Sequence, residues 1–192
     1  MIISKKKTFE QHDNETISYY RHSVKSIEIN DILQNNLDVD VCIIGAGFTG
    51  VSSALNLANK GYKVVILEAK KIGWGASGRN GGQLGNGMRR DQFYIEKKLG
   101  LEHAKELWNL GLEAVQEVKD YISKYNIDCD IIRGILTAGF YKSDSNYFFD
   151  IINHMQKKYN FENYEYFNSE EIKKNIDTNK YYSGLLNKSG YH

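Results

Sequence analysis

The stretch that decides the fold is VCIIGAGFTG at residues 41–50, an apolar run that meets a cluster of glycines. The apolar residues predict a short strand over Asp38–Ile44, and the glycines after it predict a tight turn. A helix is predicted next over Val51–Lys60, followed by a second continuous apolar strand over Lys63–Leu67. Continuously apolar strands joined by a helix are typical of parallel sheets that are buried on both faces. Residues 40–68 are therefore predicted to form a Rossmann-like β–α–β unit of the α/β class.

Each of the three glycines in this turn has a physical role that explains its position. Gly45 permits the tight turn out of the strand, Gly47 lets the backbone approach a pyrophosphate, and Gly50 lets the helix pack against the strand. The pyrophosphate then lies at the helix N-terminus, where free N–H groups and the helix dipole favour negative charge. Glu68 ends the second strand and can accept hydrogen bonds from ribose hydroxyls, while it would repel the 2′-phosphate of NADP. The unit is therefore predicted to bind a dinucleotide.

The segment after Glu68 favours FAD over NAD. It contains GWGASGRNGGQ at residues 73–83, where a simple nicotinamide-binding domain would continue with an ordinary helix and strand. Glycines at this density expose backbone N–H groups that can line a long, flat, anionic ligand, and Arg79 can neutralise phosphate. We expect an FAD site, with an NAD-binding module as an alternative.

The rest of the chain is predicted to mix helices and strands. Gly100 is expected to separate a short helix from a long one, and a strand is predicted over Ile131–Tyr141. Apolar residues at helical spacing predict a helix around residues 147–155, and residues 168–171 have the pattern of a capping box. A last strand is predicted over Tyr181–Leu186.

Composition argues against several kinds of partner. The net charge is +1 and the lysines are dispersed, which does not favour nucleic acid or an acidic membrane surface. No apolar run approaches the roughly 20 residues that a membrane span needs. Cys42, Cys129 and the five histidines have no metal-type spacing, so no metal site is predicted and a reduced, cytoplasmic protein fits best. Cys42 is expected to be a small buried residue of the first strand.

Two runs carry a family resemblance: residues 40–69, DVCIIGAGFTGVSSALNLANKGYKVVILEA, and residues 73–83. Here the sequence resembles the D-amino-acid-oxidase-like superfamily of FAD oxidoreductases, and within it the gamma-glutamylputrescine oxidases and related amine oxidases. A looser likeness continues at residues 18–20, 131–134 and 182–186, so the resemblance covers most of the chain.

The resemblance implies FAD as the cofactor and a small-molecule amine as the substrate. It implies oxidation of an amine C–N bond by hydride transfer to the flavin, hydrolysis of the imine, and reoxidation of the flavin by oxygen to give hydrogen peroxide. The flavin performs the redox chemistry while the protein orients it. The resemblance names no catalytic acid or base. The candidate cofactor-binding residues are Gly45, Ala46, Gly47, Phe48, Thr49, Gly50, Glu68, Ala69, Ser77, Arg79, Asn80, Gly81, Gly82 and Gln83.

The length of the chain departs from the family, whose members are roughly twice as long and have two domains. Residues 1–36 are polar and predict an irregular arm, and residues 37–128 are expected to be the N-terminal part of an FAD-binding domain. Residues 129–192 are expected to begin an α+β substrate domain that is truncated. We therefore expect an incomplete fold that a second polypeptide could complete, with an inactive fragment of a split or degraded gene as the alternative.

Overall fold

The computed structural model describes residues 2–4, 18–24 and 32–192, and the chain forms two compact units, Met1–Gly81 and Gly82–His192. The division between the units lies earlier than residue 128, the expected end of the FAD-binding part. The predicted limits of the functional domains stay a prediction.

The first unit is built on a parallel three-stranded sheet in the order β1-β3-β2. Its strands are β1 (Ile2–Ser4), β2 (Val41–Ile44) and β3 (Val64–Glu68). Its helices are α1 (Tyr19–Ser23), α2 (Phe48–Asn59) and a 3₁₀ turn at Ala76–Gly78. Helix α2 connects β2 to β3 and packs against β3, so the predicted β–α–β unit and its parallel sheet are confirmed.

The prediction of an irregular arm over residues 1–36 is wrong at two places. Ile2–Ser4 forms a strand beside β3, and Ser18 caps α1 by accepting a hydrogen bond from the Arg21 N–H. Three to five residues are too short to show a helical or strand period, so the sequence pattern could not reveal either element.

Burial on both faces is correct for β3 but wrong for β2. Val65 and Ile66 in β3 are buried, whereas Ile44 in β2 is 79% exposed and Cys42 is exposed. Exposure alternates along β2, so Cys42 and Ile44 share one face of the strand, and the described residues leave that face uncovered. The expectation that Cys42 is buried is therefore also wrong.

The second unit combines helices with an antiparallel sheet in the order β4-β6-β5. Its helices are α3 (Gln92–Leu99), α4 (Leu101–Lys124), α5 (Asp144–Tyr159) and α6 (Ser169–Asn175). Its strands are β4 (Arg133–Gly139), β5 (Tyr164–Phe167) and β6 (Ser183–Tyr191).

Most of these elements were predicted from short patterns in the sequence. Gly100 separates α3 from α4 with φ of 78°, and Asn168 and Glu171 form the predicted capping box at the start of α6. The last strand is longer than predicted, and β5 has no counterpart in the prediction. Four residues reading YEYF give too little alternation to predict a strand, and β5 is instead defined by its pairing with β6.

The core of the second unit lies where α4 and α5 meet the sheet. Its buried members are Trp108, Phe148, Ile151, Met155, Phe161 and Leu185. None of the helices in the described part of the chain combines the length and apolar character that crossing a bilayer requires. The described residues also contain no group of three or more His, Cys, Asp or Glu side chains arranged to hold a metal ion.

Tyr164 makes the stability of the second unit sensitive to alkaline pH. Burial, with a smaller effect from Tyr147, raises the pKa of Tyr164 from 10.0 to about 12. The folded phenol keeps its proton to higher pH than the unfolded one, so its contribution is complete below about pH 10 and lost as pH rises towards 12. We expect Tyr164→Phe to flatten this fall, measured as urea midpoints at several pH values between about 8 and 12.

The exposed Tyr94 provides the matched control, because Tyr94→Phe removes the same hydroxyl from a surface ring. Part of the alkaline loss is expected to remain in Tyr164→Phe, since the pKa of Tyr159 is also raised to about 12 by burial and by its hydrogen bond to Glu96. Equal pH dependence in Tyr164→Phe and Tyr94→Phe would contradict the prediction.

Candidate cofactor site

The turn between β2 and α2 needs glycine at two positions. Gly45 has φ of 97°, in the left-handed region, and its N–H donates to the Leu67 carbonyl oxygen at 2.8 Å. A Cβ at Gly50 would overlap the carbonyl oxygen of Gly45, so only glycine lets the first turn of α2 lie against the turn that precedes it. The structure thus gives Gly45 and Gly50 the conformational roles expected of them.

The N-terminus of α2 keeps backbone donors available. The Phe48 N–H donates to Ser77 Oγ at 2.9 Å, and the Val51 N–H donates to the Gly47 carbonyl oxygen at 2.9 Å. For the N–H groups of Thr49 and Gly50, no acceptor is found in residues 2–4, 18–24 and 32–192. Free N–H groups at the positive end of a helix dipole favour a bound anion.

Glu68 connects the end of β3 to the glycine turn through a side-chain hydrogen bond. One carboxylate oxygen accepts from the Ala46 N–H at 2.8 Å, and the other accepts from the Lys70 N–H at 2.8 Å. Ala46 is only 1% exposed, so this carboxylate pairs a donor that has little access to water. Each carboxylate oxygen can accept more than one hydrogen bond, and Glu68 therefore retains capacity for ribose hydroxyls.

The glycine-rich loop after β3 folds back over the same turn. The Gly73 N–H donates to the Ala46 carbonyl oxygen at 2.9 Å, and a Cβ on Gly47 would lie 3.0 Å from Ser77 Oγ. Within the loop, a Cβ at Gly78 would overlap the Gly73 carbonyl oxygen. The loop and the turn approach each other at glycines because side chains there would keep them apart.

The remaining predicted site residues occupy different positions. Arg79 lies over the Trp74 ring with Cζ 5.0 Å from the centroid, and the Asn80 side chain donates to the carbonyl oxygens of Ala76 and Ser77. The Asn80 side chain thus stabilises the 3₁₀ turn. Ala69 is exposed just beyond β3, and Gly81 ends the first unit. Gly82, with φ of 78°, and the exposed Gln83 belong to the second unit.

The sequence did not reveal that Ser77 caps α2. The signal that could have found it is the N-cap residue itself, because Gly47 has no side chain with which to cap the helix. Ser77 is the only hydroxyl residue between Gly73 and Gln83. A helix that needs an outside acceptor, followed by a loop with one hydroxyl, makes Ser77 a candidate for this contact, but the sequence does not show that the two meet.

We expect Ser77→Ala to destabilise the first unit by about 0.5–2 kcal/mol, because the N–H of Phe48 loses the acceptor that caps α2. Chemical denaturation followed by far-UV circular dichroism measures this change. Ser53→Ala is the control, since it makes the same substitution on the exposed side of the same helix. A stability loss in Ser53→Ala as large as that in Ser77→Ala would show that Ser77 does not act as the cap.

Together these groups fit the phosphate and ribose portions of a dinucleotide. Gly47 places no side chain at the helix N-terminus, the Thr49 and Gly50 N–H groups supply donors, and Glu68 supplies acceptors at the end of the neighbouring strand. This combination of donors and acceptors suits an ADP group, whose phosphates accept hydrogen bonds and whose ribose hydroxyls donate them.

Known proteins resemble this chain over most of its length. Residues 40–192 match the FAD dependent oxidoreductase family, DAO. Gamma-glutamylputrescine oxidoreductase of Escherichia coli K12 is 38% identical over 182 residues, which cover 92% of this chain and 41% of the relative. Across the curated relatives most similar to it, the chain spans between 36% and 41% of their length.

Two solved structures share the fold. L-amino acid deaminase from Proteus vulgaris superposes with a TM-score of 0.59 at 19% identity, covering 82% of this chain and 35% of that one. Glycine oxidase from Geobacillus kaustophilus superposes with a TM-score of 0.60 at 16% identity, covering 80% of this chain and 40% of that one. The chain therefore belongs to the DAO family of FAD-dependent oxidoreductases and is related to gamma-glutamylputrescine oxidoreductase.

Proposed function

We propose that this chain is the FAD-binding N-terminal part of an oxidoreductase that oxidises the C–N bond of a small-molecule amine, of the kind that gamma-glutamylputrescine represents. The observation that carries the proposal is the 38% identity to gamma-glutamylputrescine oxidoreductase over nearly the whole chain. The geometry of the glycine turn supports it, because the turn offers donors and acceptors where a dinucleotide needs them.

In this proposal the first unit holds the ADP half of FAD. Gly45, Gly47 and Gly50 shape the turn, the N–H groups at the start of α2 bind phosphate, and the Glu68 carboxylate accepts from the ribose. The remaining turn residues Ala46, Phe48, Thr49 and Ala69 complete this group.

The glycine-rich loop is assigned to the rest of the cofactor. The residues assigned to the pyrophosphate and the stretch towards the isoalloxazine are Ser77, Arg79, Asn80, Gly82 and Gln83, with Gly81 as a further cofactor-binding candidate. The flavin supplies the redox chemistry, and the protein positions it and excludes competing reactions.

A further part of the proposal is that additional polypeptide covers the edge of the parallel sheet, either from the same gene or as a second chain. β2 is an edge strand, in which Ile44 is 79% exposed, and Phe48, at the start of α2, is 69% exposed. An apolar edge strand of this kind is normally paired or covered. The unpaired thiols Cys42 and Cys129 support a cytoplasmic location, where such thiols stay reduced.

The proposal is tested by the visible absorption spectrum of the purified chain, before and after incubation with FAD and gel filtration. We expect flavin absorbance to elute with the protein. Calorimetric titration with NAD, in the presence and absence of FAD, separates FAD binding from a nicotinamide site. A chain that takes up no FAD but binds NAD would favour the NAD-binding module.

The alternative of an inactive fragment has its own test. The chain is refolded together with the product of any adjacent reading frame that encodes the remainder of such an enzyme, and peroxide is measured after an amine is added. Amine-dependent peroxide from the mixture, and none from either product alone, would exclude an inactive remnant.

A further inference from the structure

The glycine-rich stretch of the chain contains two Asn–Gly steps, Asn80–Gly81 and Asn86–Gly87. At such a step the backbone nitrogen of the glycine can attack the side-chain amide carbon of the asparagine, because glycine has no Cβ to obstruct the approach. Both glycines are exposed, and in the described part of the chain neither N–H donates to a backbone carbonyl oxygen. The structural difference between the two steps therefore lies in the asparagines.

Asn80 is exposed near the end of the first unit, and neither Asn80 nor Gly81 belongs to a helix or a strand. Its Nδ2 donates to the carbonyl oxygens of Ala76 and Ser77, at 3.3 and 2.9 Å. Water can replace exposed hydrogen bonds of this kind at a small net cost, because the separated groups stay solvated. The Asn80 side chain can therefore rotate towards the Gly81 nitrogen, and water can reach the site of reaction.

Asn86 is enclosed by the second unit. It is 1% exposed, its Oδ1 accepts from Asn187 Nδ2 at 2.8 Å, and its carbonyl oxygen lies where a Cβ at Gly111 would overlap it. Rotation of this side chain would break a buried hydrogen bond with no water at hand to replace it. Reaction at Asn86 therefore requires local unfolding, whereas reaction at Asn80 does not.

We propose that Asn80 is a site of spontaneous deamidation, and that the reaction loosens the loop whose Ser77 caps α2. The Gly81 nitrogen forms a bond to Asn80 Cγ, the Cγ–Nδ2 bond breaks, and Nδ2 leaves as ammonia with the proton of the Gly81 N–H. Water then opens the resulting succinimide ring at one of its two carbonyl carbons. Opening at one carbon gives aspartate and opening at the other gives isoaspartate, and no group is oxidised or reduced.

Either product changes the contacts of the 3₁₀ turn. The Asn80 amide donates to two carbonyl oxygens, whereas a carboxylate has no hydrogen to donate and repels them. Isoaspartate also lengthens the backbone by one methylene. The turn carries Ser77, whose Oγ accepts from the Phe48 N–H at the start of α2, so displacement of the turn weakens the cap. Weaker FAD binding is expected to follow, and this last step alone rests on the proposed function.

The modification is tested by peptide mapping with mass spectrometry, after the full chain has been kept at physiological temperature and neutral pH. In the folded chain we expect Asn80 to convert about tenfold faster than Asn86 or more, because Asn86 reacts only when its surroundings open. In guanidinium chloride this protection is lost, and the two asparagines are expected to convert at similar rates. Gly81→Ala adds a Cβ beside the attacking nitrogen and is expected to slow conversion at Asn80.

The comparison of Asn80 with Asn86 uses the wild-type chain, so it does not depend on the folding of any variant. Equal conversion of the two asparagines in the folded chain, or conversion of neither, overturns the inference. A ratio of the two rates that denaturation leaves unchanged also overturns it, because the difference would then come from the flanking sequence and not from the fold.

The effect on the cap is measured with Asn80→Asp, which reproduces the aspartate product. We expect the Phe48 amide to exchange its hydrogen about tenfold faster, and FAD to bind about tenfold more weakly. Asn56→Asp is the matched control, because Asn56 Nδ2 also donates to a backbone carbonyl oxygen, that of Ser52 at 3.0 Å, but lies on α2 and not on the loop.

Unchanged exchange of the Phe48 amide in Asn80→Asp, or an equal increase in Asn56→Asp, overturns the loosening of the cap. Faster exchange with unaltered FAD affinity overturns the link to the cofactor. If the wild type takes up no FAD, the proposed function fails together with that link, and the peptide maps and exchange data still decide the modification and its effect on the cap.

Discussion

Alanine in place of Gly50 is expected to weaken FAD binding and to destabilise the first unit. The added Cβ would overlap the carbonyl oxygen of Gly45, which is backbone and cannot rotate away as a side chain could. Strain from overpacking is typically about 1–3 kcal/mol and sometimes more, whereas alanine gains only about 1 kcal/mol over glycine inside a helix. The backbone overlap places the strain at the upper end of that range, so we expect it to outweigh the gain, with a net loss of about 2 kcal/mol.

The effect on FAD follows from the same displacement. To relieve the overlap, the start of α2 must move away from the turn, and the N–H groups of Thr49 and Gly50 move with it. One hydrogen bond to a charged group contributes about 1.5–3 kcal/mol, so losing one is expected to weaken FAD binding about tenfold to a hundredfold. Equilibrium denaturation and FAD titration by fluorescence quenching measure the two effects on the same sample.

Gly87→Ala is the matched control, because a Cβ at Gly87 meets nothing within 4 Å. We expect it to keep wild-type stability and FAD affinity. A Gly50→Ala variant as stable as wild type, with unchanged affinity, would mean that α2 does not pack on the Gly45 turn in the way described.

The parts of the site that could be predicted are local in sequence. Gly45 and Gly50 stand at fixed offsets from the end of β2, and Glu68 ends the next strand, so one short pattern specifies all three. The capping box at Asn168 and the break at Gly100 were predictable for the same reason, since the interacting groups lie within a few residues of each other.

The parts that could not be predicted depend on which distant residues become neighbours. The exposure of Cys42 and Ile44 depends on whether another segment covers their face of β2, and the strand's own sequence does not show this. Ser77 caps a helix that begins 29 residues earlier, and Asn86 meets Asn187 across 101 residues. Residue type shows that these side chains can form hydrogen bonds, but only the folded chain shows with which partner.

Glu68→Leu is expected to have the second large effect, because it removes one carboxylate from two roles. The N–H groups of Ala46 and Lys70 lose their acceptor, but the costs differ since Lys70 is exposed and can bond water while Ala46 is buried. The lost charge-assisted bond to Ala46 alone is expected to cost about 1.5–3 kcal/mol of stability. FAD affinity is expected to fall by about a hundredfold or more, since the ribose loses its acceptor and the turn loses its anchor.

Glu68→Gln separates the two roles. The single side-chain oxygen of glutamine can still accept from the buried Ala46 N–H. The amide nitrogen then faces the exposed Lys70 N–H, which can donate to water instead. We therefore expect Glu68→Gln to keep most of the stability and to bind FAD roughly tenfold more weakly, because a neutral acceptor binds the ribose less strongly. The controls are Glu113→Leu and Glu113→Gln, the same two substitutions at an exposed position.

If Glu68→Gln lost as much stability as Glu68→Leu, the carboxylate would act through its charge and not as the acceptor of the Ala46 N–H. If Glu68→Leu bound FAD as tightly as wild type, the ribose would be held elsewhere, and the assignment of the ADP half to this turn would be wrong.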